Sequence, residues 1–569
     1  MVKDKRNTFK GKSLLQFLTK LLILALVSVT SYYYFIKLDL TEDQRYTLTP
    51  ETLTLLEDLE EIVTVKVYLE GSGLPADFVK LRNGTEEILN EFNSYSGKLI
   101  EYEFIDLFEI KSRTKREREI QRIVEAGVPY LPVQQKKESG TNSFYVTPGA
   151  EIFYRGNSLG VSLLKTDHVA HQDNFKASLE NLEYQLSTAI RKLKDERRKN
   201  VGFLQLHGES DQYQLEDLAK TLSEYYNIGP VILKNEAGLF DLNALNFIDL
   251  LVIAGPRTQF DEYELFIIDQ YVMRGGKLLV LIDGIYAELD SLRTSPFFPA
   301  MPYNSGLEKL LFKYGIRVNN DVIEDRQCAA IPINTGPAGS SSKPQLHPWV
   351  YFPLIFSDNQ HLITKNLEPI KLEFASSLDS IGATDVICES LLKTSNNCRY
   401  KKTPTTLGFE EALKSANGDG LSEKGKSIAM LAQGRFTSYF QNRILPEGVA
   451  EKKTFLSKSD SSSILVISSG TVANNIVLPD DKTLPLGADR YSNVFYDNKK
   501  FLINSINFLT GDSALIPVRS KKIQMRLLDK QKLKLHEQEI KWMNVLVPPF
   551  IIILFAVGVV AYRKFRFTR

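Results

Sequence analysis

The run Trp542–Tyr562, WMNVLVPPFIIILFAVGVVAY, carries no charged side chain and is followed by Arg563, Lys564, Arg566 and Arg569. About 20 apolar residues are what a helix needs to cross the hydrocarbon layer, where every backbone N–H and C=O must find its partner within protein. The tryptophan and tyrosine at its two ends suit the interfaces. The run therefore predicts a transmembrane helix over 542–562 and a tail over 563–569, and the rest of the chain has to be arranged around that anchor. Pro548 and Pro549 fall inside it. Each removes a backbone donor, so a kink is expected, with the freed carbonyls covered by a neighbouring helix or by water.

A second apolar run, Leu21–Ile36, is also uncharged, and with Leu14–Lys20, whose lysine can reach the headgroups, it attains about the length of a span. Lys3, Lys5, Arg6, Lys10 and Lys12 precede it, whereas Lys37, Asp39, Glu42 and Asp43 follow. Because basic flanks stay in the cytoplasm, residues 1–13 read as a basic cytoplasmic tail, 14–36 as a transmembrane helix, and the body as lying outside. A cleaved signal peptide is the rival reading, with Val29-Thr30-Ser31 as a small-residue site. Tyr32, Tyr33 and Tyr34 instead suit the outer interface of a retained anchor. The segment 520–541, with Lys521, Lys522, Arg526, Lys530, Lys532, Lys534 and Lys541, is basic too and pulls against this orientation. It also carries acids and reads as a helix leading into the membrane, so the first span is taken to decide, and both termini are expected in the cytoplasm.

Over the whole chain, Lys+Arg at 70 against Asp+Glu at 69 leave no excess charge that would steer it to nucleic acid. Residues 39–173 alternate strands such as VTVKVYLE with an amphipathic helix, and GAEIFYRGNSLGVSLL reads as a hairpin turning at Gly156-Asn157. This is a small α/β domain, followed by a linking helix over 174–198. From 199 to 519 the pattern changes. VGFLQLHGE, PVILK, IDLLVIAGP and KLLVLIDG are near-continuous apolar strands separated by helical stretches, which implies a parallel sheet covered on both faces. Residues 286–427 read as an irregular insertion holding the Pro/Gly/Ser run Pro332–Pro348, after which SIAMLAQG, SILVISSG and NKKFLINSINFLTG complete the same sheet.

Ligands of such sheets gather at the carboxyl ends of the strands. That places the candidate ligand or partner surface at His207, Gly208 and Glu209, at Gly255 and Arg257, and at Asp283. The turn Gly255-Pro256-Arg257 holds neither a nucleophile nor, at proline, a backbone donor for an oxyanion. GLSEKGKS, Gly420–Ser427, fits the letters of a phosphate loop but is preceded by a polar helical stretch and followed by a strand, the reverse of what the mechanism needs. Asp167, His168, His171 and Asp173 are metal-type donors without a completing ligand. Neither a cofactor nor a metal is expected. Cys328, Cys388 and Cys398 are an odd set, read as separate thiols, although Cys388 and Cys398 are near enough in sequence to close one loop.

The segments KLDLTEDQRYTLTPETLTLLEDL, FLQLHGE, LEKLLFKYGIRVNNDVI, ESLLKTS, AMLAQGRFTSYF and RLLDKQKLK leading to NVLVPPFIIILF together resemble the GldG family of gliding-motility proteins. The resemblance implies an auxiliary, so-called substrate-binding component of an ABC-type transporter, with an amidotransferase-like or flavodoxin-like sheet. It further implies the inner membrane of a gliding bacterium, a periplasmic body, and association with a multi-span permease and, through it, a cytoplasmic ATPase. It brings no catalytic residues. Pro548 and Pro549 then become candidate permease-docking positions. A membrane-anchored hydrolase or amidase using His207, Glu209 and Asp283 is the alternative.

Overall fold

The computed structural model describes residues 19–23, 26, 47–71, 73–137, 140–165, 171–194, 197–234, 244–287, 289, 291, 295, 297–333, 344–358, 360–410, 412, 420–446, 455–479, 482–492, 494–513, 516 and 537–567. The chain divides into two compact units, Leu48–Lys521 and the terminal segments Met1–Thr47 with Lys522–Arg569. The fold is mixed α/β with several sheets.

In the larger unit, alternating burial makes the first strands. β1 (Val63–Val67) buries Val63, Val65 and Val67 and turns its two polar side chains outward. Its helix α1 (Ala76–Tyr95) buries Phe78, Leu81, Leu89 and Phe92 on one stripe. β2 (Ile100–Phe104) pairs parallel to β1, and β3 (Gly149–Tyr154) pairs antiparallel on its other side. β3 and β4 (Asn157–Ser162) form the expected hairpin, with Tyr154 opposite Asn157. Its loop is Arg155-Gly156, one residue earlier than the sequence suggests, and both have positive φ, 49° and 79°, the backbone that matches strand twist in a two-residue hairpin. Helix α2 (His171–Lys194) buries Leu182, Leu186 and Ile190 in the core of this four-stranded sheet.

The second sheet is larger. β5 (Asn200–Leu204), β6 (Asn227–Val231), β7 (Leu250–Ala254) and β8 (Lys277–Leu281) are linked through α3 (Glu216–Ser223) and α4 (Glu262–Met273). Beyond them come β9 (Ile316–Val318), β10 (Leu378–Ser380), β11 (Val386–Lys393), β12 (Ser427–Gly434) and β13 (Ser462–Ile467). The order is β9-β10-β12-β13-β8-β7-β5-β6, with β11 also on β12. The run β6-β5-β7-β8-β13 is parallel, but β13 to β12 and all beyond is antiparallel. The expectation of a parallel sheet is thus corrected to a mixed one: SIAMLAQG is buried almost throughout, and a continuous apolar run reports burial on both faces without reporting direction. One face is covered by α3 and α5 (Asn498–Thr510), the other by α4 and the helix Leu307–Lys313. Residues 286–427 also depart from the expected irregularity, holding short strands such as Phe297–Pro302, Asp321–Asp325 and Cys398–Lys402. These strands are short and often polar, CRYKK for example, so no period marks them.

Buried polar groups tie the layers. Asp269 on α4 is fully buried and accepts from Tyr314 Oη at 2.8 Å, Ser438 Oγ at 2.7 Å, the Tyr439 amide at 2.8 Å and Gln270 Nε2 at 2.9 Å. Asp512, just past α5, receives Lys199 at 2.9 Å, Tyr226 Oη at 3.1 Å and, more distantly, Arg191 at 3.5 Å. Cys328, Cys388 and Cys398 are free thiols.

In the terminal unit, helix α6 (Glu537–Phe567) runs through both prolines. Within it Lys541–Phe565 is wholly exposed, and long and apolar enough to cross a membrane. Most of the first expected span, 14–36, lies outside the described residues.

Candidate functional site

The carboxyl ends of four parallel strands frame one cavity. The turn after β5 supplies Gly208, Glu209 and Ser210, that after β7 Gly255 and Arg257, that after β8 Asp283, and that after β13 Gly470, Thr471 and Asn474. The cavity measures about 490 Å³ and is closed on another side by Glu373 and Phe374. Five of the six positions singled out in the sequence line it: Gly208, Glu209, Gly255, Arg257 and Asp283. A second cavity of about 380 Å³, between Asp249, Arg274 and Lys277, lies at the amino ends of the strands, where open α/β sheets do not collect ligands.

The corner is assembled by backbone contact. His207 O accepts the amides of Arg257 at 2.6 Å and Thr258 at 2.9 Å, and Ser210 N donates to Ala254 O at 3.0 Å. Such proximity demands glycine. A Cβ on Gly470 would stand 2.6 Å from Asp283 Oδ2 and 2.9 Å from Gly255 Cα. Gly208 has φ +71° and would meet Arg257 Cβ at 2.9 Å. Asp283 accepts the Gly470 amide at 2.6 Å and Arg257 Nη2 at 3.1 Å. Burial raises its carboxyl above the ordinary range, with Arg257 and the amide working against that rise.

His207 stands behind the wall. Its ring stacks on Phe260 at 3.9 Å, Nε2 lies 3.0 Å from Glu264 Oε2, and Nδ1 lies 3.5 Å from Glu209 Oε1. Glu264 doubles as the third residue of a capping box: its Oε2 accepts the Asp261 amide at 2.9 Å while Asp261 caps α4. Burial works against charge on the imidazole, but the two glutamates outweigh it and raise the group to about 9. Burial would lift Glu264, yet its bonds to His207 and the Asp261 amide hold it below the usual carboxylate range. His207 is thus an imidazolium at neutral pH, and both its nitrogens face carboxylates.

This has a testable consequence. The folded pKa lies above the unfolded value of about 6.5, so the stabilisation is complete below that pH and is lost as pH rises through about 9. Denaturant midpoints taken from pH 6 to 10 should fall across that window in the parent and lose this part of the slope in His207→Gln. Equal slopes in the two proteins would show that the imidazolium contributes nothing.

Several members had no visible signal. Glu264, within an apolar helical run, gives no sign of reaching back to His207. Gly470 follows an apolar strand, as Gly255 and Gly284 do, and that repeated strand-end glycine was the clue available. Leu206 is 68% exposed with φ 87°, a strained backbone beside His207 that no sequence pattern marks. The stretch Gly420–Ser427 enters strand β12, not a helix. Asp167 and His168 lie outside the described residues, as do the side chains of His171 and Asp173. Pro548 and Pro549 sit mid-way along α6.

Comparison with known proteins gives the class. Residues 198–505 match the family model described as "ABC-type uncharacterized transport system", and the chain belongs to that family. Membership makes it an accessory component of an ABC-type transport system. Residues 42–153 match a domain of unknown function, DUF7088. No match was found among curated proteins. Among solved structures, similarity reaches the mmIFT52 N-terminal domain (16% identity, TM-score 0.28, 55% of this chain and 97% of the other). It also reaches a ThuA-like protein from Parabacteroides merdae (12% identity, TM-score 0.24, 56% and 91%). Agreement at that level is too low to carry over a function.

Proposed function

We propose that this protein is a non-catalytic accessory subunit held in the inner membrane by two spans, with a periplasmic body and both termini in the cytoplasm. Its body binds a partner or substrate at the strand-end corner, and its C-terminal helix packs on the permease of an ABC-type transporter, which in turn engages a cytoplasmic ATPase. The resemblance to the GldG family supports a role for that transporter in gliding motility. The observation that carries this reading is the exposed apolar helix Lys541–Phe565 in a chain of a transport-system family. A non-catalytic role is supported by the corner itself: Pro256 occupies the turn where a nucleophile would stand, and the His207 imidazolium has no free nitrogen lone pair with which to accept a proton.

The prolines fit docking. Pro548 and Pro549 leave the carbonyls of Asn544 and Val545 without their helical donors, and each such group in hydrocarbon costs several kcal/mol unless protein or water approaches. A helix covered by the permease meets that demand. Copurification from solubilised membranes should recover a multi-span permease and an ATPase. Changing both prolines to Leu should leave membrane insertion intact and lower the recovered permease. Recovery of neither subunit with the parent protein would remove the reading, and equal yields from both versions would reduce the helix to a tether.

A further inference from the structure

Beside the strand-end cavity the chain builds a small sheet from Ile285–Tyr286, Phe297–Pro302 and Thr405–Gly408. Successive side chains of a strand point to opposite faces, and directly paired residues share one. Tyr286 pairs with Met301, Phe297 with Gly408 and Pro299 with Thr406, so Tyr286, Phe297, Pro299, Met301 and Thr406 stand on one face. The other face, with Ile285, Phe298, Ala300 and Leu407, joins the core around Trp349. The first face is open to water: Phe297 is 58% exposed, Met301 48% and Tyr286 41%, and Pro299 and Thr406 are exposed with them. It adjoins the cavity, because Ile285 and Ala287 on either side of Tyr286 line that cavity and Arg257 lies 6.0 Å over the Tyr286 ring.

A sheet face left to water is ordinarily polar. This one carries two aromatic rings, a methionine and a proline and no charged side chain, the composition found at the centre of protein interfaces. Its three large side chains leave roughly 300–400 Å² uncovered, the size of the functional patches of monomeric proteins. Area and charge together decide the occupant. Two copies meeting through this face would bury about twice that figure in total, short of the roughly 1,200 Å² that a stable pair needs. A lipid surface is met by apolar side chains with lysine or arginine around them, and the cation at this border, Arg257, is already held by Asp283 at 3.1 Å. A protein subunit fixed in the same membrane is a different case, since tethering raises its local concentration and a small contact then suffices.

We propose that this face docks an uncharged, apolar stretch of the permease's periplasmic surface, as a second contact besides the C-terminal helix. The inference rests on the accessory-subunit reading and adds where the body meets its partner.

The test puts the photocrosslinker p-benzoylphenylalanine in place of Phe297, and separately in place of Ile444, in the full chain in its own membranes. Ile444 is 93% exposed and controls for chance contact. After irradiation, mass spectrometry of the product is expected to identify the permease from position 297 and not from position 444. Phe297→Ser combined with Met301→Ser should keep the parental melting curve, since both side chains stand largely in water, and should lower the copurified permease by about tenfold. If that variant unfolds, the crosslink decides. Should the parent recover the permease while position 297 crosslinks only to lipid, only to a second copy, or no more than position 444, the docking face is overturned and the accessory-subunit reading stands. Should the parent recover no permease, that reading fails and the docking face with it.

Discussion

Asp269→Ala is expected to lower stability by about 3–5 kcal/mol, as for a buried charged hydrogen-bonding group removed while its partners stay. The carboxylate, fully buried on α4, accepts four hydrogen bonds that reach the chain at Tyr314 and again at Ser438 and Tyr439. Alanine leaves those donors inside the core without water to take them. Asp269→Asn keeps one acceptor oxygen and should fall between the two. Denaturant unfolding of the detergent-solubilised chain measures it, and a loss under about 1 kcal/mol, the scale of a single ordinary hydrogen bond, would mean that the layer is held by apolar contact alone.

Gly470→Val should be nearly as costly, at about 2–4 kcal/mol, and should also dismantle the corner. Its Cβ would press on Asp283 Oδ2 at 2.6 Å and on the Gly255 backbone at 2.9 Å. The flexible end of Asp283 can move, but only by giving up Arg257 Nη2 and the amide at position 470. The backbone of Gly255 cannot yield in that way. A melting curve and the yield of copurified permease report the two effects, and a variant matching the parent in both would show that the turn after β13 is softer than its contacts indicate.

The strand-end corner was readable in the sequence because its signals are local. An apolar strand closing on His-Gly-Glu, Gly-Pro-Arg or Asp-Gly announces both the strand and the side at which it opens, and Gly208, Glu209, Gly255, Arg257 and Asp283 do share one cavity. What stayed hidden depends on contacts distant in sequence. Glu264 meets His207 only because the amino end of α4 lies over the turn after β5, and Glu373 and Phe374 reach the cavity from a stretch whose short strands lack a period. Direction was hidden as well: β12 and β13 are equally apolar, yet only β13 continues the parallel run. The apolar character of Lys541–Phe565 was plain from composition alone.

The ties around Asp512 decide how this unit would bear tension. Asp512 stands shortly before the segment that leads toward α6, and it is bonded to Lys199, at the start of β5, and to Tyr226, with Arg191 near the end of α2 alongside. A pull applied beyond Asp512 therefore does not simply peel the last turn of α5. It is passed at once to the first strand of the larger sheet and to the helix packed on the smaller one. Several side-chain contacts must give way together before either end unravels, so force entering from the C-terminal segment is shared by the whole body.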